Sequence, residues 1–449
     1  MKTKKDLASM SGHSLSQFGS AIVFTENQIL NSSKGHGFAA EKANNLIDNF
    51  LSKNASIVGG NNRKNGPDRL VDKVEIQTKY CKTASETISA LFEKGEYRYF
   101  DSNKELMVTE VPKDQYKKAL SIMEEKIRDG KVPGTSDPEM AEKLIRKGHI
   151  TYEQAVNIAK VGTIESLTFD IQSGVVFCSY AFGLSALISF AQGRWSGKSN
   201  SQCIKLSLST ASKVFCISLV SHVLTQQLSR TVLNKSISSG ATSIAIILPK
   251  GLRNNMANVI NPKVMPNSIA SISTVSKALR SKAIMSAVTT VVLSSKDIYH
   301  FSRSEISGLQ CFKNICVTGG SVFGGSMGFW LGACLGSGLG PIGTWGGGIA
   351  GSMIAGTLTG QGTKMVVDLL GEDDIAIMQR ILDKQLARAI KNYILVGNEL
   401  SEVSRFLKMI DWRTELKKMH ASSNMNRFAY QLFESIVMEV AFNRKLVRC

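Results

Sequence analysis

The sequence predicts an α/β N-terminal domain, built from a small mixed sheet with flanking helices, followed by a mostly α-helical membrane-associated region. Three observations support this fold class. The first 170 residues carry charges of both signs, whereas residues 171–363 are apolar and Gly/Ser-rich with only two acids. Residues 314–363 form one run of 50 uncharged residues. At 449 residues the chain is long enough for two or three domains with a sizeable core.

Shifts in composition place the domain boundaries. The first segment, a polar and Ser-rich stretch with weak patterning, predicts a flexible arm. An α/β domain, a basic amphipathic or transmembrane helical region, a glycine-zipper membrane hairpin and a C-terminal helical domain follow it. The predicted ranges are 1–35, 36–165, 166–313, 314–363 and 364–449.

Local patterns assign the elements of the α/β domain. "FAAEKANNLIDNFL" places its apolar residues near one helical face, and "ASIVGG" is typical of a short buried strand. "DRLV" and "VEIQTKYC" predict a hairpin, and a helix capped by Thr83 or Ser85 follows. "EYRYF" and "ELMVTEV" predict a second hairpin. Three helices come next, the last with Thr151 and Gln154 at capping-box spacing.

The net charge of +18 is concentrated in the middle of the chain. From Arg194 to Lys313 there are fifteen Lys and Arg and only Asp297 and Glu305 as acids, so 15 − 2 gives +13 for this stretch. Such a field attracts phospholipid headgroups or nucleic acid. Because the stretch has almost no aromatic residues on which bases could stack, anionic lipid is the favoured partner.

Two stretches predict insertion into a membrane. The 23 uncharged residues 171–193 are enough to span a hydrocarbon core, which needs about 20 residues. Within residues 314–363, glycine recurs at every fourth position from Gly320 to Gly340 among Val, Phe, Trp and Leu. Small residues at this spacing let helix backbones approach closely in lipid, which predicts a helical hairpin that forms a homo-oligomer through the glycine stripe. The alternative is a soluble glycine-rich linker.

The predicted location is the bacterial inner membrane, with the N-terminal domain in the cytoplasm. The basic N-terminus lacks the apolar core and cleavage site of a secretory signal. The eight cysteines show no CxxC motif and no zinc-ligand spacing, which is typical of reduced thiols.

The segment "KNGPDRLVDKVEIQTKYCK" contains the candidate chemistry. Asp68 opens one strand of the predicted hairpin, while Glu75, Gln77 and Lys79 alternate along the other and share a face. Glu41 adds a carboxylate if its helix packs across the sheet. Carboxylate and amide oxygens beside a lysine suit a hard cation and a phosphodiester, with Asp68, Gln77 and Glu75 as candidate ligands of Mg²⁺. The alternative is a polar strand face that meets water.

This arrangement resembles the PD-(D/E)XK motif of restriction-endonuclease-like nucleases. The resemblance rests on Pro67-Asp68 followed by Gln77-Thr78-Lys79, on Gln in place of the usual acid, and on the order of elements over residues 38–100. It implies that Asp68 is the main metal ligand and that Gln77 is a second ligand or orients water. Lys79 would activate water or stabilise charge, and Glu41 would be the acid that the helix contributes.

The sequence therefore predicts a membrane-anchored protein with a metal-dependent nuclease-like domain that acts on DNA or RNA, as a defence or toxin-like effector. Two alternatives stay open. One is a non-enzymatic membrane protein, pore-forming or membrane-perturbing, with a cytosolic sensing domain. The other is a nuclease-like fold that only binds nucleic acid.

Overall fold

The computed structural model describes residues 3–59, 64–337, 374–393 and 397–442, together with positions 344, 347–352, 355, 359 and 395. The chain divides into two compact units. The first contains residues 1–288 and 329–351, and the second contains residues 289–328 and 352–449.

A mixed sheet forms the centre of the α/β domain, as the sequence predicts. Its strand order is β1-β2-β3-β6-β7: the first three strands are antiparallel, and β6 and β7 each run parallel to the neighbour before them. A two-stranded ribbon, β4 and β5, lies apart from it. The strands are β1 (Ala55–Ile57), β2 (Arg69–Val71), β3 (Val74–Thr78), β4 (Phe92–Glu93), β5 (Glu96–Tyr97), β6 (Val108–Val111) and β7 (Ile145–Lys147).

Helices flank this sheet. Thr83 caps α3 by accepting a hydrogen bond from the backbone N–H of Glu86, and Thr151 and Gln154 form the predicted capping box at α6. α3 and α4 cover the core around Met107, Val111 and Ile145, while α2 and α6 share a second core. The helices are α2 (Gly35–Phe50), α3 (Ala84–Ser89), α4 (Tyr116–Arg128), α5 (Met140–Leu144) and α6 (Tyr152–Ile158).

The predicted second hairpin is present in shortened form. Phe100 and Leu106 form an antiparallel bridge, and the backbone N–H of Met107 donates to the carbonyl of Tyr99 at 3.1 Å, whereas Val108–Val111 pairs in parallel with β3. Thr109, Glu110 and Val111 are buried on both faces of the sheet, which is typical of a central strand. The predicted helix "SDPEMAEKLIRKG" also ends early, because Ile145–Lys147 joins the sheet edge as β7.

A buried ionic cluster holds α2 against the sheet. Arg69 of β2 is fully buried and donates hydrogen bonds to Asp48 of α2 and to Glu110 of β6. Arg146 of β7 contacts both carboxylates, at 2.8 Å from Asp48 and 3.4 Å from Glu110. His149 Nε2 lies 2.9 Å from Asp48. Breaking a buried ion pair leaves an uncompensated charge, so this cluster fixes the position of the helix on the sheet.

The first segment is a helix instead of a flexible arm. The helix α1 (Thr3–Asn27) precedes a 3₁₀ turn (Gln28–Asn31). The polar pattern predicts an arm because its serines and other polar residues suggest exposure to water. In the structure α1 packs against α7 (Ile164–Trp195) and α8 (Asn200–Ser229), and Ser11, Ser14, Ser16 and Ser20 are buried. Hydrogen bonds across these helices replace those that water would make.

By length and composition, α7 and α8 are each long and apolar enough to cross a membrane. α7 includes the predicted span at residues 171–193. Its Leu187 is 71% exposed, and Ile204 and Leu208 of α8 are also exposed, whereas several polar residues are buried, among them Ser185 and Ser189 of α7 and Ser218, Gln226 and Gln227 of α8. This distribution is the reverse of that in a water-soluble bundle.

The other described helices complete the two units. Those in the first unit pack an apolar core around Phe18 of α1, together with Phe329 and Trp330. In the second unit, a further core forms around Phe433. The helices are α9 (Val232–Ser236), α10 (Ser238–Ile247), α11 (Lys250–Ile260), α12 (Ile269–Leu293), α13 (Ser295–Ser302), α14 (Gly308–Gly336), α15 (Asp374–Tyr393), α16 (Gly397–Met409), α17 (Trp412–Ala421) and α18 (Met425–Phe442).

Glycines of the stripe make close contacts within the chain. A Cβ atom added at Gly332 would overlap the carbonyl oxygen of Gly347, and one added at Gly324 would overlap the side chain of Thr359. Only glycine permits so close a backbone approach. Residues 338–343, 345–346, 353–354, 356–358 and 360–363 of the predicted hairpin lie outside the described residues.

The ionic cluster makes stability depend on pH. Burial by itself raises the pKa of Asp48, but hydrogen bonds from His149 and Arg69 and the charge of Arg146 outweigh it and lower the pKa to about 2. Because the unfolded pKa is higher, ionised Asp48 contributes roughly 2 kcal/mol above about pH 4, and this contribution is lost as pH falls from about 4 to 2. We expect Asp48→Asn to lower the urea midpoint at pH 7 and to flatten its pH dependence in that window.

The exposed Asp129 offers the matched control, because its partner Lys131 is also exposed. Asp129→Asn should leave both the midpoint and its pH dependence unchanged. An Asp48→Asn protein as stable as the wild type at pH 7 would contradict the role of the cluster.

The glycine contacts predict a position-specific effect of bulk. Gly332→Leu should lower the thermal unfolding temperature in detergent by several degrees, because the side chain would force apart the backbones at Gly332 and Gly347. Gly183→Leu in α7 is the control, since a Cβ at Gly183 meets no atom within 4 Å among the described residues. Equal effects of the two changes would show that the close contact does not matter.

Candidate active site

Backbone hydrogen bonds fix Asp68 between β1 and β3. The backbone N–H of Asp68 donates to the carbonyl of Ile76 at 2.9 Å, and the carbonyl of Asp68 accepts from Val58 at 2.9 Å and from Gly59 at 3.1 Å. A Cβ added at Gly59 would lie 3.1 Å from both Cα and Oδ1 of Asp68, so the absence of a side chain there permits this approach.

Asp68 and Gln77 meet directly. Gln77 Nε2 and the backbone N–H of Thr78 (2.9 Å) both donate to Asp68 Oδ2. Gln77 is almost completely buried. With its amide group donating to Asp68, its carbonyl oxygen is the atom that could accept from water or bind a cation.

Glu41 of α2 brings a second carboxylate to the same place. Burial, and then the negative charge of Asp68, raise the pKa of Glu41 to about 8, against the opposing charge of Lys79. Burial also raises the pKa of Asp68, although the Thr78 N–H, Lys79 and Gln77 act in the other direction. Two half-buried carboxylates, one of which is harder to ionise because of the charge of the other, form a site that a cation would stabilise.

Lys79 follows β3 and supplies positive charge to this site. Its backbone N–H donates to the carbonyl of Glu110 at 2.9 Å. Its Nζ lies over the ring of Tyr99, 5.0 Å from the ring centroid, and the guanidinium of Arg98 lies 5.0 Å from the same centroid. Tyr99 thus holds two cations beside the candidate site by cation–π contacts.

Glu75 makes a different contact. Its Oε2 accepts a hydrogen bond of 3.0 Å from the backbone N–H of Ser102. The structure thus brings four of the five candidate residues together, namely Glu41, Asp68, Gln77 and Lys79. Within the described ranges, no group of three or more His, Cys, Asp or Glu side chains could hold a metal ion. The candidate site therefore offers two carboxylates and an amide oxygen.

Sequence reasoning missed the residues that support the site. Asp48, Arg69, Glu110 and Arg146 belong to the buried ionic cluster. Arg69 directly follows Asp68, and Asp48 lies two helical turns after Glu41. The available signal was the presence of charged residues inside the short strands "RLV" and "VTEV". Such residues need partners when both faces of a sheet are covered.

Comparison with known proteins adds a partial relationship. Residues 19–128 match the YeeR C-terminal domain family, and this segment contains Glu41, Asp68, Gln77 and Lys79. Inner membrane protein YeeR of Escherichia coli (strain K12) is 49% identical over 109 residues, which are 24% of this chain and 21% of YeeR. The matched segment thus spans about a fifth of that relative. No solved structure matches the chain. The α/β domain is similar to a segment of an inner membrane protein.

Proposed function

We propose that this chain is a membrane-anchored phosphodiesterase whose N-terminal α/β domain cleaves DNA or RNA with the help of a divalent cation. The observation that carries the proposal is the convergence of Glu41, Asp68, Gln77 and Lys79 at one place. Carboxylates and a lysine are the groups that hydrolysis of a phosphodiester requires. The resemblance to PD-(D/E)XK nuclease motifs agrees with this chemistry.

The donor set fits Mg²⁺. Glu41 and Asp68 offer carboxylate oxygens and Gln77 an amide oxygen, which are hard ligands. Burial raises the pKa of both carboxylates, the charge of Asp68 raises that of Glu41 further, and a divalent cation would favour the ionised form of both. When bound there, Mg²⁺ would lower the pKa of a water molecule and polarise a phosphate oxygen.

The other residues of the site orient the carboxylates and stabilise negative charge on the phosphate. The Thr78 N–H and the Gln77 amide hold Oδ2 of Asp68 in a fixed direction. Lys79 places an ammonium group where negative charge develops on the phosphate, with its side chain against Tyr99. Arg69 keeps α2, and with it Glu41, in place through its pair with Asp48.

The membrane part of the proposal rests on the exposed surface of α7 and α8. Large apolar side chains of both helices, such as Leu187 and Leu208, are exposed, while polar side chains such as Ser185 and Gln226 are buried. A surface of this kind in water would form an apolar patch of the sort that soluble proteins avoid. In a bilayer, the same surface faces lipid tails. The two helices of 32 and 30 residues are long enough to cross it.

The basic middle region and the glycine stripe supply the remaining proposed partners. The excess charge of +13 between Arg194 and Lys313 would attract anionic lipid headgroups. We propose that glycines of the stripe that are not used in the close contacts described above mediate the formation of homo-oligomers. The bacterial inner membrane, with the α/β domain on the cytoplasmic side, is the proposed location.

The second candidate function is that of a non-enzymatic membrane protein. One observation favours it specifically, because polar side chains line the interior of the α1–α7–α8 bundle. In this case the α/β domain would bind a ligand instead of cleaving one.

Nuclease activity is the direct test. Purified full-length protein in detergent should cleave DNA or RNA in the presence of Mg²⁺ or Mn²⁺. Asp68→Asn and Lys79→Ala should each lower the rate about a hundredfold or more, as expected when a group that stabilises charge in the transition state is lost. Gln77→Glu should keep activity and bind the metal more tightly, because it adds a third carboxylate.

Glu75→Gln is the matched control on the same strand and should cleave at the wild-type rate. Near-UV circular dichroism should confirm that all variants are folded. A wild-type protein that cleaves neither DNA nor RNA with any divalent metal would overturn the enzyme proposal. Binding without cleavage would then favour a nucleic-acid-binding module.

Membrane placement predicts behaviour on extraction. After expression in bacteria, the protein should stay in the membrane pellet in alkaline carbonate, because α7 and α8 would be held by the hydrocarbon core. A variant with Leu187→Lys and Leu208→Lys, which charges the exposed apolar surface, should insert less well. Complete release of the wild type into the soluble fraction would overturn the placement.

A further inference from the structure

A central position in the helical bundle distinguishes α1 from an ordinary N-terminal arm. Residues 7–25 are 19 uncharged residues, about 28 Å of helix. Near one end of this stretch, Ser185 of α7 donates to the carbonyl of Ala8 at 3.1 Å. Just beyond the other end, Asn27 donates to Gln226 of α8 at 3.3 Å. If α7 and α8 cross the membrane, as the proposed function requires, α1 crosses it beside them.

Polar side chains occupy nearly every turn of the interface among these three helices. We call this set the polar seam. Its buried members on α1 are Ser11, His13, Ser14, Ser16, Gln17, Ser20 and Asn27. On α7 and α8, Ser185, Ser218, His222 and Gln226 hydrogen-bond to α1, and Asp170, Ser189, Ser221 and Gln227 are buried as well. Polar groups between helices in lipid stabilise association by hydrogen bonding. That role alone would be satisfied by serine, threonine and glutamine.

Two histidines give the seam a second capability. His222 bridges two helices: its Nδ1 lies 2.9 Å from Ser20 Oγ and its Nε2 lies 3.2 Å from Ser173 Oγ. His13 Nδ1 lies 3.1 Å from Ser218 Oγ. Ser218 and His222 are one helical turn apart, so the two histidines follow each other along the seam. Histidine can take up a proton on one ring nitrogen and release one from the other.

Buried acceptors accompany the two histidines. Among the described residues, Gln17 Oε1 and Ser221 Oγ form no hydrogen bond, although Gln17 is only 4% exposed and Ser221 is fully buried. A buried polar atom without a partner costs about 1–3 kcal/mol. A seam that only held helices together would not need them, whereas a path for protons uses groups that can accept a new hydrogen bond.

The seam ends at an ion pair on the side of the α/β domain. Arg230 donates to Asp170 at 2.7 Å, and Gln227 donates to the same carboxylate at 2.6 Å. Gln227 Oε1 also accepts from the backbone N–H of Gly162, just before α7. The ionisable groups therefore extend from the domain end of the bundle into its interior. Ionisable residues inside a membrane typically mark ion or proton pathways.

We propose that the polar seam of α1, α7 and α8 conducts protons across the membrane, with His13 and His222 as the relay groups. Each transfer adds a proton to one imidazole nitrogen and removes one from the other, so the ring returns to neutrality with its tautomer exchanged. One positive charge crosses per proton, and no oxidant or reductant takes part. The proposal rests on the membrane placement and is independent of nuclease activity.

Proton flux in vesicles tests the proposal. Full-length protein is reconstituted into phosphatidylethanolamine and phosphatidylglycerol vesicles that contain potassium and a pH-sensitive dye, and valinomycin sets a potential that draws protons inward. Wild-type vesicles should acidify faster than protein-free vesicles. His222→Asn and His13→Asn should each reduce the protein-dependent rate about tenfold, because Asn keeps a hydrogen bond but does not bind a proton near neutral pH.

His36→Gln is the control, because His36 lies in α2 of the α/β domain and contacts Tyr152; its rate should equal that of the wild type. Carbonate extraction verifies that each variant is inserted, and Ser20→Ala, which removes one partner of His222, replaces any variant that fails to insert. The proposal that the seam is a proton path would be overturned if vesicles with wild-type protein acidified no faster than protein-free vesicles. It would also be overturned if the histidine variants acidified vesicles as fast as the wild type. Release of the wild type by carbonate would instead overturn the membrane placement.

Discussion

The buried guanidinium of Arg69 is the interaction on which the α/β domain depends. It joins Asp48 of α2 to Glu110 of β6, and in doing so it joins a helix to a central strand. An arginine with no exposure to solvent is stable only when its charge is compensated by close partners. Because Asp68 precedes Arg69 and Glu41 lies on the same helix as Asp48, this ionic cluster also determines the distance between the two carboxylates of the candidate site.

The distribution of apolar and polar side chains in the helical bundle is the opposite of that in the α/β domain. In the α/β domain, apolar side chains such as Met107 and Val111 are buried, and the buried charges are paired. In α7 and α8, large apolar side chains face outward, and serines, glutamines and a histidine are buried. The hydrophobic effect explains the first arrangement in water. It explains the second only if lipid surrounds the helices, since burying polar groups against one another then removes them from hydrocarbon.

The two regions meet at Asp170. Its carboxylate accepts from Arg230 and Gln227, and Gln227 accepts from the loop before α7. This places a buried charge where the chain passes from the domain into the bundle. The proposed nuclease site and the proposed proton path are therefore separate sites in regions that adjoin at Asp170. The match to the YeeR C-terminal domain family includes the end of α1 and most of the domain, but not this junction.

The sequence alone determined the features that depend on neighbouring residues. Helix caps at Thr83 and Thr151, the hairpin of β2 and β3, and the apolar length of α7 all follow from local spacing. The candidate residues Asp68, Gln77 and Lys79 could be grouped for the same reason, since hairpin pairing fixes their relation. Only the tertiary structure decided the parallel pairing of β6, the different contact of Glu75, and the partners of Arg69. It also decided that α1 is a buried helix, because a polar pattern fits both exposure to water and burial against other polar groups. Those outcomes depend on contacts between residues far apart in the chain, which a local sequence pattern does not predict.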